Sequence, residues 1–362
     1  MISDKKIMSR AIALAHRGGV AVLPNPRVGA VVVKNGKVVG EGWHKRFGST
    51  HAEPQALKQA GHLAKGATLF CSLEPCSHQG KQAPCVDMII EAGIKRVVAA
   101  QKDPNPQVNG TRLLRKAGIE VVTGILREEA LRLNPGFNCS FSKSRPYIHA
   151  KIASSLDGYM ALKNGKSQWL TGEASRKQGH LLRGKQQAIL TGIGTVLADD
   201  PLMTVRYGPK RNPLRLIMDS NLRLPLKSKI LSNEVSGVHV FASKKSSKSR
   251  AKALEKCGVT IHYVSSESRS GLSIKNVLNI CLQQGWLEIM LEAGPKLTTS
   301  FLKKGFIDEL SWFQCPKILG EGLGLGNLQV KNLDSAFFLS ESTVTQLGHD
   351  RLWHGRVKTP RI

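Results

Sequence analysis

The chain has 362 residues, 41% of them hydrophobic, which exceeds the usual size of one domain and makes two domains the expectation. No run approaches the roughly 18 apolar residues of a membrane-spanning helix, and seven cysteines scattered along the chain suit a reducing cytoplasm better than a disulfide framework. The net charge of +27 leaves two readings open, attraction to anionic ligands and a generally basic surface.

The amino-terminal segment MISDKKIMSRAIALAHRG has no long apolar stretch and reads as a helix over 4–17, with Ile7, Met8, Ala11, Ile12 and Ala15 on one face. VGAVVVKNGKVVGEGW predicts a β-hairpin turning at Asn35-Gly36, a pair suited to positive φ. A helix over Ala52–His62, a strand over Thr68–Ser72 and a helix over Pro84–Ala92 follow. Next come a strand over Lys95–Ala100, a helix over Gly110–Ala117, a strand over Glu120–Thr123 and one helix over 126–142. Alternation of this kind implies a sheet covered on both faces.

A junction is expected near 142–148. It divides the chain into residues 1–146 and 147–362. Beyond it, strands are expected at Ile148–Ala153, Ala188–Thr191, Leu214–Asp219, Val238–Ala242, Thr260–Val264 and Glu288–Leu291, and helices near 174–184, 249–257, 273–284 and 295–304. The basic run SKKSSKSRAK at 243–252 reads as a solvated loop leading into a helix.

The most informative residues are His51 and Glu53 in HAEPQAL, and Cys76 and Cys85 in LEPCSHQGKQAPC. One imidazole and two thiolates can hold zinc and keep its fourth position for water, whereas a structural site closes that position with a protein ligand. His51 and Glu53 fall at the expected start of a helix. Cys76 is expected to start the next helix, where the dipole favours a thiolate. Glu53 then moves the protons of the attacking water to a ring nitrogen and a leaving amine. A closed site using His78 as fourth ligand is the competing reading, and it leaves Glu53 without a role. Cys71, alternating along an apolar strand, reads as core.

PNPRVGAVVVKNGKVVGEGWH, HAEPQAL, LEPCSHQGKQAPC and QKDPNPQVNG together resemble the deaminase domain of the bifunctional riboflavin-biosynthesis deaminase–reductase family. Nucleoside and nucleic-acid deaminases usually place the second cysteine three residues after the first. Here that position is Gln79, and the longer Cys76–Cys85 spacing is similar to the riboflavin type. Where the family usually has Thr-Pro-Pro before that cysteine, this chain has Gln82-Ala83-Pro84. The resemblance implies a cytidine-deaminase-like three-layer α/β/α domain in which Asn25 and His44 line the substrate pocket.

In the second half no GxGxxG follows a strand, but glycine turns do, in AILTGIGTVLADDPLMTVR and EIMLEAGPKLTTSFLKKG. The first reads as a strand, a glycine turn and an acidic segment. The second reads as a strand, a glycine turn and a helix. With KIASSLDGYMA and GKSQWLTG they resemble the reductase domain of the same family, which implies a dihydrofolate-reductase-like α/β fold using NADPH. By that resemblance Ser154, Trp169, Thr195, Asp199 and Ser220 contact the cofactor, and the turn carrying Gly294, Pro295, Lys296 and Leu297 cradles its phosphates. Ser167, Arg183, Met203, Arg206 and Glu292 match substrate positions, with Lys151 in the substrate cavity. Lys151 and Asp199 are the candidates for proton handling.

The resemblance thus implies a zinc- and NADPH-dependent enzyme of two consecutive steps acting on a small phosphorylated pyrimidine. A homo-oligomer, with no nucleic-acid or membrane partner, is expected. The alternative is a nucleic-acid or nucleoside deaminase with an accessory binding domain. It predicts interleaved aromatic and basic residues, and aromatics are only 5% here.

Overall fold

The computed structural model describes residues 3–79, 83–208, 211–232, 237–268 and 271–358. The chain forms two compact units, Met1–Arg145 and Pro146–Ile362.

In the first unit, α1 (Asp4–His16) is capped by Ser3, whose side chain accepts from the Lys6 N–H. The hairpin β1 (Gly29–Lys34) and β2 (Lys37–Trp43) turns at Asn35 and Gly36, both at positive φ (49° and 75°). Then follow α2 (Ala52–Ala60), β3 (Thr68–Cys71), α3 (Cys85–Glu91), β4 (Arg96–Ala99), α4 (Gly110–Lys116) and β5 (Glu120–Thr123). The five strands lie in the order β2-β1-β3-β4-β5, antiparallel around β1 and parallel from β3 to β5. Strand side chains alternate between faces. Val31, Phe70 and Val98 therefore pack on α1, while Ala30, Val32, Leu69 and Val97 pack on α2, α3 and α4. This is the expected three-layer arrangement.

Helix α2 lies close on the hairpin because Gly40 and Gly42 face it. A Cβ at those positions would stand 2.1 Å from Ala56 O and 2.2 Å from Ala52 O. That approach fixes the amino-terminal end of α2, which carries His51 and Glu53.

One expected element is divided. The segment 126–142 forms two helices, α5 (Arg127–Leu133) and α6 (Pro135–Ser142). Pro135 cannot continue a helix from the preceding turn but suits the first position of a new one. Asn134 sits at the break with its side chain buried, accepting from Arg27 N (2.7 Å) and donating to Arg27 O (2.9 Å).

The second unit is built on β6 (Tyr147–Ser154), β8 (Ala188–Gly192), β9 (Leu214–Met218), β10 (Val238–Ser243), β11 (Val259–Val264), β14 (Glu288–Leu291), β15 (Glu309–Gln314), β17 (Phe338–Leu347) and β18 (Asp350–Lys358). Short ribbons pair β7 (Tyr159–Ala161) with β16 (Leu323–Gly324), and β12 (Ser266–Ser268) with β13 (Gly271–Leu272). The main sheet runs β11-β10-β9-β8-β14-β6-β15-β18-β17, parallel from β11 to β15 and antiparallel over β15, β18 and β17. Helices α10 (Ile274–Gln283) and α11 (Pro295–Lys303) cover one face. Helices α7 (Glu173–Gly184), α8 (Ile193–Asp199) and α9 (Lys248–Glu255) cover the other.

Two features of this unit depart from the sequence expectation. Residues 193–199, expected as a turn and an acidic segment, are the helix α8, and the short strands β7, β12, β13 and β16, together with β15, β17 and β18, were not anticipated.

Candidate catalytic sites

His51 is the N-cap of α2, with Glu53 in its first turn, and Cys85 opens α3. Cys76 does not begin a helix; it lies in an irregular segment after β3. Its sulfur nonetheless receives a helix-terminal donor, because the Cys85 backbone N–H points to Cys76 Sγ at 3.3 Å. His51 Nδ1 lies 3.4 Å from Cys85 Sγ and 3.6 Å from Cys76 Sγ. The three ligand atoms all lie within 4.8 Å of one another, and they form the only such group of three among the described residues. His78 is exposed and outside the group, so the closed-site reading finds no support.

The cluster's electrostatics suit a cation. A hydrogen bond from the Cys85 thiol, outweighing burial and helped by His51, pulls Cys76 down to about 4. Cys85 is pushed up by holding the shared proton and by burial. A divalent cation replaces that proton and lets both sulfurs be thiolates.

Glu53 is 4% exposed, and its Oε2 is buried without a hydrogen-bond partner. Burial, with the Cys76 charge adding to it, raises its carboxyl to about 7. An unsatisfied buried carboxylate oxygen beside an N,S,S donor set fits a metal and the water it brings.

Asn25 and His44 are assembled here too. Asn25 Nδ2 lies 3.4 Å from His44 Nε2, and the His44 ring stands edge-on to His51 with centroids 5.5 Å apart. Burial lowers the His44 pKa, which favours the neutral ring. Nδ1–H then donates to Thr50 O (3.3 Å), leaving Nε2 to accept from Asn25. Cys71 is buried in β3 outside the cluster, as core.

The second unit holds a cleft of about 530 Å³. Lys151 and Phe313 both line it, and the Lys151 ammonium lies 5.7 Å from the Phe313 ring centroid. Burial lowers the Lys151 pKa, opposed by the charge of Glu292. Ser167 Oγ donates to Asp199 Oδ1 at 3.2 Å, and burial raises the Asp199 carboxyl. Thr195 Oγ1 accepts from Gly294 N at 3.1 Å, which ties the start of α8 to the start of α11; Thr195, Gly294 and Pro295 all line the cleft. Met203 and Arg206 form part of one wall. Trp169 stands 60% exposed at the rim, so it is not a core aromatic.

Arg183 and Glu292 meet as a two-pronged ion pair, with Nη2–Oε2 at 2.8 Å, and Arg183 Nη1 donates to Thr204 O at 3.1 Å. Burial alone would raise Glu292, but the Arg183 charge and hydrogen bonds bring it down to about 2. The Arg183 guanidinium is therefore committed before any phosphate arrives.

Four expected cofactor residues stand outside the cleft wall. Ser154 is buried and accepts from Trp312 Nε1 at 2.7 Å, Ser220 follows β9, and Lys296 and Leu297 lie within α11. Among the titratable side chains that line the cleft, the sequence reading missed four: Arg176, His180, Asp200 and Lys229. Arg176 and His180 could have been found, since with Arg183 they recur at helical spacing on α7.

Residues 1–101 match the family model of the cytidine and deoxycytidylate deaminase zinc-binding region, and residues 146–347 match that of the RibD C-terminal domain. The riboflavin biosynthesis protein RibD of Aquifex aeolicus is 44% identical over 350 residues, covering 96% of each chain. Among solved structures, RibD of Acinetobacter baumannii superposes with a TM-score of 0.87 at 36% identity, covering 98% of this chain and 99% of its own. The diaminohydroxyphosphoribosylaminopyrimidine deaminase/5-amino-6-(5-phosphoribosylamino)uracil reductase of Thermotoga maritima does so with 0.84 at 35% identity, covering 98% of each.

Proposed function

The chain belongs to the RibD family of riboflavin biosynthesis proteins, and from that premise we infer that it performs two consecutive steps on one phosphorylated pyrimidine. The first unit hydrolytically deaminates 2,5-diamino-6-ribosylamino-4(3H)-pyrimidinone 5′-phosphate. The second reduces the ribosyl group of the product to ribityl with NADPH. A single observation carries the first step: Glu53, buried and unsatisfied at one carboxylate oxygen, beside His51, Cys76 and Cys85. The alternative of a nucleic-acid deaminase with an accessory domain is not favoured, because the match to RibD proteins runs through both units.

His51, Cys76 and Cys85 would hold the zinc, which would supply a Lewis acid that lowers the pKa of water. Glu53 takes a proton from the attacking water and returns protons to the ring nitrogen and to the departing ammonia. Its raised carboxyl pKa matches a group that must both accept and donate near neutrality. Asn25 and neutral His44 orient the pyrimidine.

In the second unit the cleft lined by Thr195, Gly294 and Pro295 would hold NADPH, which would supply hydride for reduction of the ribosyl group. Lys151, with its lowered pKa, and Asp199, held by Ser167, handle the accompanying proton. Arg206 meets the substrate phosphate, while Arg183 keeps Glu292 ionised and in place.

We propose that the chain works in the cytoplasm as a homo-oligomer. Two observations support this. Cys71, Cys76, Cys85, Cys257, Cys281 and Cys315 are thiols, and among the described residues β17 is an edge strand of its sheet with Phe338 and Val344 exposed. Among the described residues no helix is long and apolar enough to cross a membrane.

The test is to give purified protein the diamino nucleotide with and without NADPH. Ammonia release in both cases, with NADPH consumption following it, is expected. Ammonia release from RNA or single-stranded DNA in place of the nucleotide would overturn the reading.

A further inference from the structure

Helix α7 lines the cleft with Arg176, His180 and Arg183, yet its N-cap is Gly172, which has no side chain to cap it. A carboxylate from far along the sequence takes that task. Asp350, the first residue of β18, is 3% exposed, and its Oδ2 accepts from Gly172 N at 2.7 Å and from Ser175 Oγ at 2.6 Å. An anion at a helix N-terminus is favoured by the dipole and satisfies otherwise orphaned donors.

The same segment carries the exposed Trp169, and three contacts fix how it is presented. Lys317 Nζ donates to Trp169 O at 2.8 Å. Arg176, in the first turn of α7, donates through Nη1 to Thr171 O at 2.8 Å. Its guanidinium also lies over the Trp169 ring, 4.8 Å from the centroid. Trp169 and Arg176 thus form a stacked pair whose geometry depends on where α7 begins, and Asp350 sets that point.

We propose that Asp350 is a positioning residue of the reductase, presetting the Trp169–Arg176 pair that receives the cofactor. It rests on the reading of Trp169 as a cofactor contact. Asp350 is not among the residues that line the cleft. Its effect on NADPH is exerted through the Gly172 and Ser175 hydrogen bonds. The carboxylate is placed by the tight turn of the β17–β18 hairpin, where Leu347 pairs with Asp350 across Gly348 at φ 65°.

The experiment compares Asp350→Ala, Asp350→Asn and Trp169→Ala in the full chain. It records kcat and KM for NADPH with the deaminated intermediate supplied, and ammonia release as a control on the other unit. Asp350→Ala is expected to raise KM for NADPH about tenfold with kcat within about twofold, because lost cofactor positioning appears in KM while a smaller folded fraction lowers only the apparent kcat. Asp350→Asn, which keeps an acceptor oxygen, is expected to recover most of the effect, and ammonia release is expected to be unchanged in both. An unchanged KM in Asp350→Ala, or a fall in kcat alone, overturns the proposal if Trp169→Ala does raise KM. If Trp169→Ala itself leaves KM unchanged, the cofactor reading of Trp169 fails and this inference falls with it.

Discussion

The two candidate sites are assembled in opposite ways. In the first unit three ligand residues and the carboxylate come from the starts of α2 and α3 and from the segment between β3 and α3, all within residues 51–85. In the second unit the cleft draws on residues from Lys151 to Leu323, and Arg183 is already paired with Glu292 across 109 positions. A metal site needs a few ligands at set spacing, so short motifs specify it. A cofactor cleft needs shape and preset charge, which many distant residues share.

That contrast makes the two activities separable. Glu53→Gln is expected to lower ammonia release by roughly a thousandfold while NADPH-dependent reduction of supplied intermediate persists, a loss within the range of general acid–base catalysis. Parallel losses of both activities would show that the sites are not independent. Lys151→Ala is expected to act only on the second step, lowering reductase kcat by about a hundredfold with ammonia release intact. Unchanged reductase kinetics would remove Lys151 from proton handling.

The smallest expected effect is on stability. Burial, then the nearby Arg183 and Arg206, bring the pKa of His180 down to about 4 from the ordinary 6.5. The unfolded chain therefore binds a proton at His180 that the folded chain refuses, and the stability it contributes is full above pH 6.5 and is lost as pH falls toward 4. Glu292, held near 2 against an ordinary 4.5, contributes stability above pH 4.5 that is lost as pH falls toward 2. Thermal unfolding of the full chain followed against pH is expected to show a shallower decline between pH 6.5 and 4 in His180→Gln. An identical slope in variant and parent would contradict the assignment.

The sequence was most readable where chemistry is local. Val-rich alternation and Asn35-Gly36 gave the hairpin, and HAE with the paired cysteines gave the donor set. The break at Asn134 was signalled by Pro135, which begins a helix more readily than it continues one. Strand β17 escaped because it is an edge strand exposed along most of its length, so it has no buried face to write a period of two. Helix α8 escaped because Gly192 and Gly194 read as a turn, although Gly192 is only the cap of a seven-residue helix. The Arg183–Glu292 pair and the Asp350 cap join residues far apart in the chain, and nothing local announces either.

The central claim is that this protein carries a zinc-dependent deaminase site whose chemistry stands apart from its reductase cleft. The direct measurement is elemental analysis of the purified protein, paired with both assays before and after a strong chelator. The account predicts one zinc per chain, ammonia release abolished on its removal and restored on its return, and NADPH oxidation with supplied intermediate unaffected throughout. Ammonia release that survives in metal-free protein would contradict it.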